Sequence, residues 1–223
     1  MSFSEQLLQE NTPLWKTILE HPFLKSLGDG TLPPERFRFY LTQDYLFLVE
    51  YCRVLALAAA KSQDLETMRG FSNLLNATLN VEMSIHRSYA ARFGLREEDL
   101  ASAKLAPTAM AYTRHLLTVA YSGNIGEIAA ALLPCQWSYW EIGTQLAKRP
   151  AAHHPLYGDW VRAYASKEFG DLARWIRNLV DRLSAGLPDR ELDRLRTHFL
   201  TGCRYEHAFW SMADGGEFWP NLD

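Results

Sequence analysis

Residues 134–143, PCQWSYWEIG, place a cysteine directly after a proline in a stretch with helical periodicity. Pro134 cannot donate a hydrogen bond to the carbonyl four residues back, and its ring crowds that carbonyl, so we expect the helix to bend there. Tyr139 follows Cys135 by four residues and shares its helical face. A thiol in this setting could attack an electron-poor ring stacked on the aromatic side chains. The alternative is a small, inert core residue, because free cysteines are usually buried and no neighbouring cation in the sequence would lower the thiol pKa.

Two carboxylates lie among aromatic residues. Asp44 is in FRFYLTQDYLFLVEY, where Tyr40, Phe47 and Tyr51 share its helical face, and Glu206 is in CRYEHAFW. Burial would raise the pKa of Glu206 and make it a proton donor near neutral pH. Asp44 could accept hydrogen bonds from an amino group on a flat heterocycle. Each could instead be an exposed acid at the edge of an amphipathic helix.

Glu82 and His86 are four residues apart in VEMSIH, a spacing that suits a metal ion or an ordinary salt bridge. A helical di-iron site would need further Glu-x-x-His pairs on other helices, and Glu20–His21 and Glu206–His207 do not have that spacing. The sequence contains neither a glycine-rich phosphate loop nor a GxSxG motif. We therefore expect no metal site and no cofactor.

Composition excludes several classes of protein. The chain has 223 residues, 48% of them hydrophobic, and a net charge of −3, which attracts neither nucleic acid nor an acidic membrane surface. The first residues lack a charged-then-apolar pattern, so we expect no signal peptide, and no apolar run is long enough for a membrane span. Three widely spaced cysteines form neither a disulfide framework nor a CxxC site. These features favour a protein of the reducing cytoplasm.

The elements that must position these residues are helical throughout. Apolar residues recur at three- and four-residue steps, and no segment alternates like a strand. The pattern predicts an all-α fold with one domain, residues 1–223, and a turn at GDG, residues 28–30. We place about eight helices at residues 4–20 (with a break near Pro13), 33–61, 64–94, 107–123, 124–149, 156–168, 171–185 and 189–212.

At these residues the sequence resembles the TenA family, the thiaminase II or aminopyrimidine aminohydrolase proteins. The resemblance covers nearly the whole chain, through HPFLKSLGDGTLPPERFRFYLTQD, PTAMAYTRHLL, SGNIGEIAAALLPCQWSYWEIG, YASKEF and YEHAFW. It implies the single-domain helical bundle of haem oxygenase, without haem, and a homotetramer. It also implies a reaction in thiamin salvage, in which 4-amino-5-aminomethyl-2-methylpyrimidine is hydrolysed to the hydroxymethyl compound and ammonia. Thiamin would be a second substrate.

The resemblance also implies roles for individual residues. Cys135 in LLPCQW would be the nucleophile that adds to the pyrimidine ring, and its presence places the chain in the cysteine-containing branch. Glu206 would be the acid/base at the ring nitrogen and the leaving group. Asp44 would bind the exocyclic amine. The remaining ring-binding side chains would be Phe47, Tyr112, Tyr139 and Tyr164.

Phe47 is a departure from the family pattern, because some members have a tyrosine there whose hydroxyl tunes the thiol. Tyr45 and Tyr51 lie nearby at different helical angles, so the sequence leaves open which group activates Cys135. Two alternative functions are also open. One is a non-haem di-iron oxidase on the same fold, and the other is a pyrimidine-binding or regulatory protein without turnover.

Overall fold

The computed structural model describes residues 1–220, except for the side chains of Glu97 and Ala101, and within these residues it contains helices and no strand. A π-helical turn (Thr78–Glu82) joins α5 to α6, and a 3-10 turn (Pro150–His153) precedes α10. The α-helices are α1 (Phe3–Glu10), α2 (Thr12–Leu19), α3 (Pro22–Asp29), α4 (Pro34–Lys61), α5 (Leu65–Ala77), α6 (Met83–Arg92), α7 (Glu97–Ser102), α8 (Pro107–Ser122), α9 (Ile125–Leu146), α10 (Gly158–Tyr164), α11 (Lys167–Ser184) and α12 (Asp189–Gly215).

Local capping explains why the long helices begin where the sequence predicts. The Asn124 side chain accepts a hydrogen bond from the Glu127 amide, and the Glu127 carboxylate accepts one from the Asn124 amide. This confirms the predicted capping box before α9. Asp64 similarly accepts from the amide of Thr67 and begins α5.

Some predicted boundaries are wrong. The first predicted helix is divided at Asn11, two residues before the expected break, and α3 and α7 were not predicted. The predicted GDG turn is only the end of α3, where Gly30 has a positive φ of 74°. The single helix expected over residues 64–94 is interrupted by the π-helical turn. A π-helical turn adds one residue but keeps the helical periodicity of apolar residues, so the sequence pattern does not reveal it.

The predicted break at Gly170 is also wrong. The Ser166 hydroxyl accepts a hydrogen bond from the Phe169 amide and begins α11, so Gly170 lies inside that helix. A Cβ atom at Gly170 would lie 2.6 Å from Nε1 of Trp140. This glycine therefore permits close packing of α11 on the Trp140 side chain and does not form a turn.

Helix α9 lies at the centre of the fold. It packs against α12, α11, α10 and α8, and it carries apolar side chains on almost all sides. Leu132 and Leu133 are fully buried. Complete burial of such a side chain stabilises the fold by about 1.5–3 kcal/mol, so this all-round burial fixes α9 relative to its neighbours.

Helix α12 lies close against α9 at Gly202. A Cβ atom there would lie 2.7 Å from Cγ of Pro134 and 3.2 Å from the Ala131 carbonyl oxygen. α9 continues through Pro134, so the Pro134 ring is part of the surface against which α12 packs. Cys135 follows Pro134, and Glu206 lies four residues beyond Gly202. The contact at Gly202 therefore sets the spacing between these two side chains.

Gly202→Ala should lower stability by about 1–3 kcal/mol, because neither a proline ring nor a backbone carbonyl can yield easily to an added methyl group. Gly215→Ala is the matched control on α12, since nothing lies within 4 Å of its Cβ position. The control should be neutral or slightly more stable. Urea unfolding of both variants measures the difference, and an unchanged Gly202→Ala would show that the contact is not restrictive.

Candidate active site

Three helices bring Asp44, Cys135 and Glu206 into one region. Asp44 is on α4 and 3% exposed, Glu206 is on α12 and 2% exposed, and Cys135 on α9 is partly exposed. Both carboxylates are close enough to raise the pKa of the Cys135 thiol. The three residues that could do chemistry thus share one largely buried site, although they are far apart in the sequence.

Glu206 is held by two hydroxyl groups. The Tyr112 hydroxyl donates to its Oε1 at 2.7 Å, and the Ser138 hydroxyl donates to its Oε2 at 3.4 Å. Burial raises the pKa of Glu206 to about 7, the hydrogen bond from Tyr112 opposes that rise, and the nearby Asp44 adds to it. Near neutral pH Glu206 can therefore either donate or accept a proton.

Asp44 belongs to a buried hydrogen-bond network. Its Oδ2 accepts from the Tyr40 hydroxyl at 2.9 Å and lies 2.7 Å from Nε2 of His86. The other ring nitrogen of His86, Nδ1, lies 2.8 Å from the Glu82 carbonyl oxygen. Burial lowers the pKa of His86, but the hydrogen bond and charge of Asp44 raise it above the ordinary value. With acceptors at both ring nitrogens and a raised pKa, His86 favours the imidazolium form, in which it donates a hydrogen bond to the Asp44 carboxylate.

Aromatic rings surround these polar groups. The Phe47 ring lies 5.0 Å from that of Tyr112 and 5.6 Å from that of Phe209. The rings of Tyr139 and Tyr164 are 4.9 Å apart. All five side chains are buried. The structure therefore brings every residue of the predicted site into one region, namely Asp44, Phe47, Tyr112, Cys135, Tyr139, Tyr164 and Glu206.

The Cys135 thiol is neutral in this environment. Burial raises its pKa well above the ordinary value, and Glu206, Glu82 and Asp44 raise it further. This agrees with the lack of a neighbouring cation in the sequence. A nucleophilic role for Cys135 would therefore require that a thiolate form transiently and be stabilised when it forms.

Sequence reasoning missed several members of the site. His86 pairs with Asp44, and its only hydrogen bond to Glu82 is to the backbone, so the Glu82–His86 spacing does not make a side-chain salt bridge. Ser138 follows Cys135 by three residues, and that helical spacing could have indicated it. Glu82 lies in the π-helical turn, and burial and Asp44 raise its pKa to about 7. No local pattern marked it as a member of this site.

A largely apolar pocket of about 420 Å³ adjoins the site. Glu82 and Tyr164 line it, together with Val81, Ala163 and Phe169. Tyr164 also contacts Tyr139, so this side chain is shared by the pocket wall and the aromatic rings of the site. A larger pocket of about 480 Å³, lined by Gln43 and residues near the C-terminus, shares no side chain with the predicted site.

Within residues 1–220 no group of three or more His, Cys, Asp or Glu side chains is arranged to hold a metal ion. The Asp44–His86 pair therefore has no third metal ligand in the described part of the chain, and the di-iron alternative gains no support. None of the helices described is both long and apolar enough for a transmembrane span.

The sequence matches the TENA/THI-4/PQQC family over residues 8–215. The chain belongs to this family. It is 46% identical to the aminopyrimidine aminohydrolase of Halalkalibacterium halodurans, over 98% of each chain. It is 40% identical to the aminopyrimidine aminohydrolase of Helicobacter pylori, over 96% of this chain and 99% of the relative.

Solved structures agree with the fold of this family member. A TenA homologue from P. horikoshii superposes with a TM-score of 0.88 at 34% identity, over 97% of this chain and 100% of the other. Haem oxygenase 2 from Chlamydomonas reinhardtii, without haem, gives 0.69 at 16% identity, over 95% and 97%, which shows the shared fold alone. The predicted family, the haem-oxygenase-like all-α fold and the expectation of an enzyme are confirmed.

The raised pKa of Glu206 should weaken the folded state as pH rises. A carboxyl group with a folded pKa of about 7, against an ordinary 4.5, binds its proton more tightly when folded. The stabilisation of the fold by this tighter proton binding is complete below pH 4.5 and is lost as pH rises to about 7. Glu206→Gln retains an acceptor for Tyr112, and its neutral side chain does not lose stability with rising pH. We expect the variant to gain up to about 3 kcal/mol over the wild type between about pH 5 and pH 8.

Urea unfolding at both pH values tests this expectation. Glu20→Gln changes an exposed carboxylate and is the matched control, for which the difference between variant and wild type should not vary with pH. Equal stability differences for Glu206→Gln at the two pH values would mean that Glu206 is not protonated near neutrality.

Proposed function

We propose that the protein is an aminopyrimidine aminohydrolase that converts 4-amino-5-aminomethyl-2-methylpyrimidine and water to 4-amino-5-hydroxymethyl-2-methylpyrimidine and ammonia. One observation carries the proposal. A thiol on α9 and carboxylates on α4 and α12 meet in a buried site walled by aromatic rings. The names of the relatives support the same reaction. Thiamin salvage is the process that such a reaction would serve.

Substrate binding follows from the Asp44 network. Tyr40 and His86 occupy Oδ2, which leaves Oδ1 of Asp44 to accept a hydrogen bond from the exocyclic amine of the pyrimidine. Because His86 fixes the carboxylate, little rearrangement is needed on binding. The rings of Phe47, Tyr139 and Tyr164 supply flat apolar surfaces for the heterocycle.

The reaction begins with addition of Cys135 to the ring. Sγ forms a bond to an electron-poor ring carbon, and the thiol proton reaches a ring nitrogen through Glu206, which accepts it and donates it onward. The loss of ring aromaticity then lets the bond between the methylene carbon and the amine nitrogen break. The aminomethyl group is an ammonium ion near neutral pH, so its nitrogen takes the electron pair of the broken bond and departs as ammonia without a further proton.

Water completes the exchange. It adds to the exocyclic methylene carbon and gives one proton to the Glu206 carboxylate. Loss of the ring-nitrogen proton and departure of Sγ restore the aromatic pyrimidine and the free thiol. The raised pKa of Glu206, about 7, suits a group that must donate and accept protons in alternate steps.

Cys135→Ala should reduce turnover of the aminomethyl pyrimidine by about 10³-fold or more, because the covalent route is lost. Released ammonia and the hydroxymethyl product are measured together. Cys52→Ala is the matched control, since Cys52 is a buried thiol on α4 that has no part in this mechanism. Near-normal turnover by Cys135→Ala would refute the nucleophile, and no turnover by the wild type would favour a binding protein.

The pocket beside the site supports thiamin as a second substrate. Its volume of about 420 Å³ and its apolar lining give room for a leaving group larger than ammonia, such as the thiazolium ring. Glu82 in its wall would favour the positive charge that the thiazolium ring carries in bound thiamin, before it departs as neutral thiazole. The pyrimidine would occupy the same position in both reactions.

Ala163→Leu should partly fill this pocket and separate the two activities. We expect thiamin hydrolysis to fall by about tenfold or more, since a bulky side chain in a close-fitting space costs about 1–3 kcal/mol. Turnover of the aminomethyl pyrimidine should change little. Ala163→Ser, which keeps the pocket open, is the control. Equal losses for both substrates would show that the pocket does not receive the leaving group.

The cytoplasmic location and the homotetramer are parts of the same proposal. Several apolar side chains on α5 and the π-helical turn are exposed, among them Leu65 at 74% and Val81 at 57%. These exposed side chains support self-association. Light scattering of the purified protein gives the number of subunits directly.

A further inference from the structure

The Tyr51 hydroxyl is buried and has no partner. Tyr51 is 1% exposed, and its oxygen makes no hydrogen bond within residues 1–220. Oε1 of Gln136, the residue after Cys135, is also buried without a hydrogen bond of standard geometry among these residues, although the Gln136 side chain lies near enough to the Tyr51 hydroxyl to lower its pKa. Buried polar groups in folded proteins are almost always hydrogen-bonded, because an unmet hydroxyl destabilises the fold. The Tyr51 hydroxyl can therefore still donate a hydrogen bond to a group that becomes charged nearby.

The position of Tyr51 indicates that partner. It follows Phe47 by one helical turn on α4, and the two rings stack with centroids 5.7 Å apart and an interplanar angle of 26°. The Phe47 ring also contacts Tyr112, whose hydroxyl binds Glu206. Burial raises the pKa of Tyr51 well above the ordinary value, and a charge on Cys135 raises it further. The Gln136 side chain, next to Cys135 in the chain, opposes that rise, so the Tyr51 hydroxyl faces the part of α9 that carries the thiol.

We propose that the Tyr51 hydroxyl donates a hydrogen bond to Sγ of Cys135 when the thiol loses its proton, and so supplies the donor that Phe47 cannot. A neutral thiol is a weak acceptor, whereas a thiolate accepts strongly, so the bond is absent at rest and forms with the charge. The thiol proton passes to Glu206, and the Tyr51 O–H bond stays intact.

A donor is needed at this position because the other charges oppose a thiolate. Asp44 on α4, Glu82 in the π-helical turn and Glu206 on α12 all raise the pKa of Cys135. The other titratable side chains influenced by a charge on Cys135 are the tyrosines Tyr112 and Tyr164. Tyr112 already donates to Glu206. The Tyr164 side chain acts on Glu82 and lowers its pKa. Among the described residues, Tyr51 is the one of these three tyrosines whose hydroxyl is buried without a hydrogen bond of standard geometry.

This role rests on the proposed function, but its first test needs no turnover. We would measure iodoacetamide alkylation of Cys135 between about pH 6 and pH 10, with the modified peptide identified by mass spectrometry. Tyr51→Phe should move the reactivity midpoint to higher pH and slow alkylation about tenfold at pH 8, as expected for loss of a hydrogen bond to a charged atom. Cys52 and Cys203 serve as internal references.

The thermal midpoint of unfolding distinguishes a role of the Tyr51 hydroxyl at the thiol from a role in stabilising the fold. Because the hydroxyl has no partner, Tyr51→Phe should leave the thermal midpoint unchanged or raise it. Tyr157→Phe is the matched control, since Tyr157 is equally buried and its hydroxyl donates to the Leu32 carbonyl. That variant should lower the thermal midpoint and leave the alkylation profile of Cys135 unchanged.

The double variant Phe47→Tyr/Tyr51→Phe moves the hydroxyl by one helical turn along α4. It should recover most of the thiol reactivity and turnover lost in Tyr51→Phe, because the donor is restored on the adjoining ring. If the double variant recovers kcat without a change in KM, the hydroxyl acts on the Cys135 thiol and not on substrate binding.

Two results would overturn the proposal. One is an alkylation profile of Tyr51→Phe identical to that of the wild type. The other is a raised KM and weaker binding of the hydroxymethyl product with an unchanged alkylation profile, which would make Tyr51 a substrate contact. If Cys135→Ala keeps its turnover, the proposed mechanism fails, yet the alkylation profile still shows whether Tyr51 acts on the thiol.

Discussion

The cost of placing charge in a dry, aromatic site governs this structure. At Asp44 the desolvation cost is offset by hydrogen bonds, since His86 and Tyr40 bind the same carboxylate oxygen. Glu206 has two hydroxyl donors and no cation among its hydrogen-bond partners in the described chain, so burial leaves it near its protonation midpoint at neutral pH. Cys135 has neither form of support and stays neutral. The three acidic groups of this site thus have different hydrogen-bond partners, and Glu206 and Cys135 hold their protons differently as a result.

The packing of the helices maintains these differences. Small residues at Gly202 and Gly170 let α12 and α11 approach the central helix, which keeps water from the space between them. The aromatic side chains serve two purposes at once. Their rings fill the core, while the hydroxyls of Tyr40 and Tyr112 donate hydrogen bonds to the carboxylates of Asp44 and Glu206. A change in packing at α9 would therefore also alter proton affinities in the site.

Much of the fold and the site could be predicted from the sequence, for local reasons. The Asn124–Glu127 capping box and the proline at the start of α4 are short-range signals, and the structure has both. The site residues stood out because acids and a thiol among aromatic residues are unusual. The pairing of Asp44 with His86 could not be predicted, since 42 residues separate them and the local spacing pointed to Glu82 instead. The predicted break at Gly170 was wrong because the sequence alone does not distinguish a glycine that permits close helix packing from one that forms a turn.

The same electrostatics are compatible with a neutral thiol as the nucleophile of the proposed reaction. Transfer of the Cys135 proton to the Glu206 carboxylate moves a negative charge within the site without creating a new one, so the total cost of desolvation changes little. The remaining barrier is the gap between the proton affinities of thiol and carboxylate. A donor such as Tyr51 narrows that gap by stabilising the thiolate alone, and the pyrimidine narrows it further by taking the proton from Glu206 as sulfur adds. A permanent cation beside the thiol would lower its pKa at all times, whereas this arrangement makes the nucleophile only when the ring is in place to receive it.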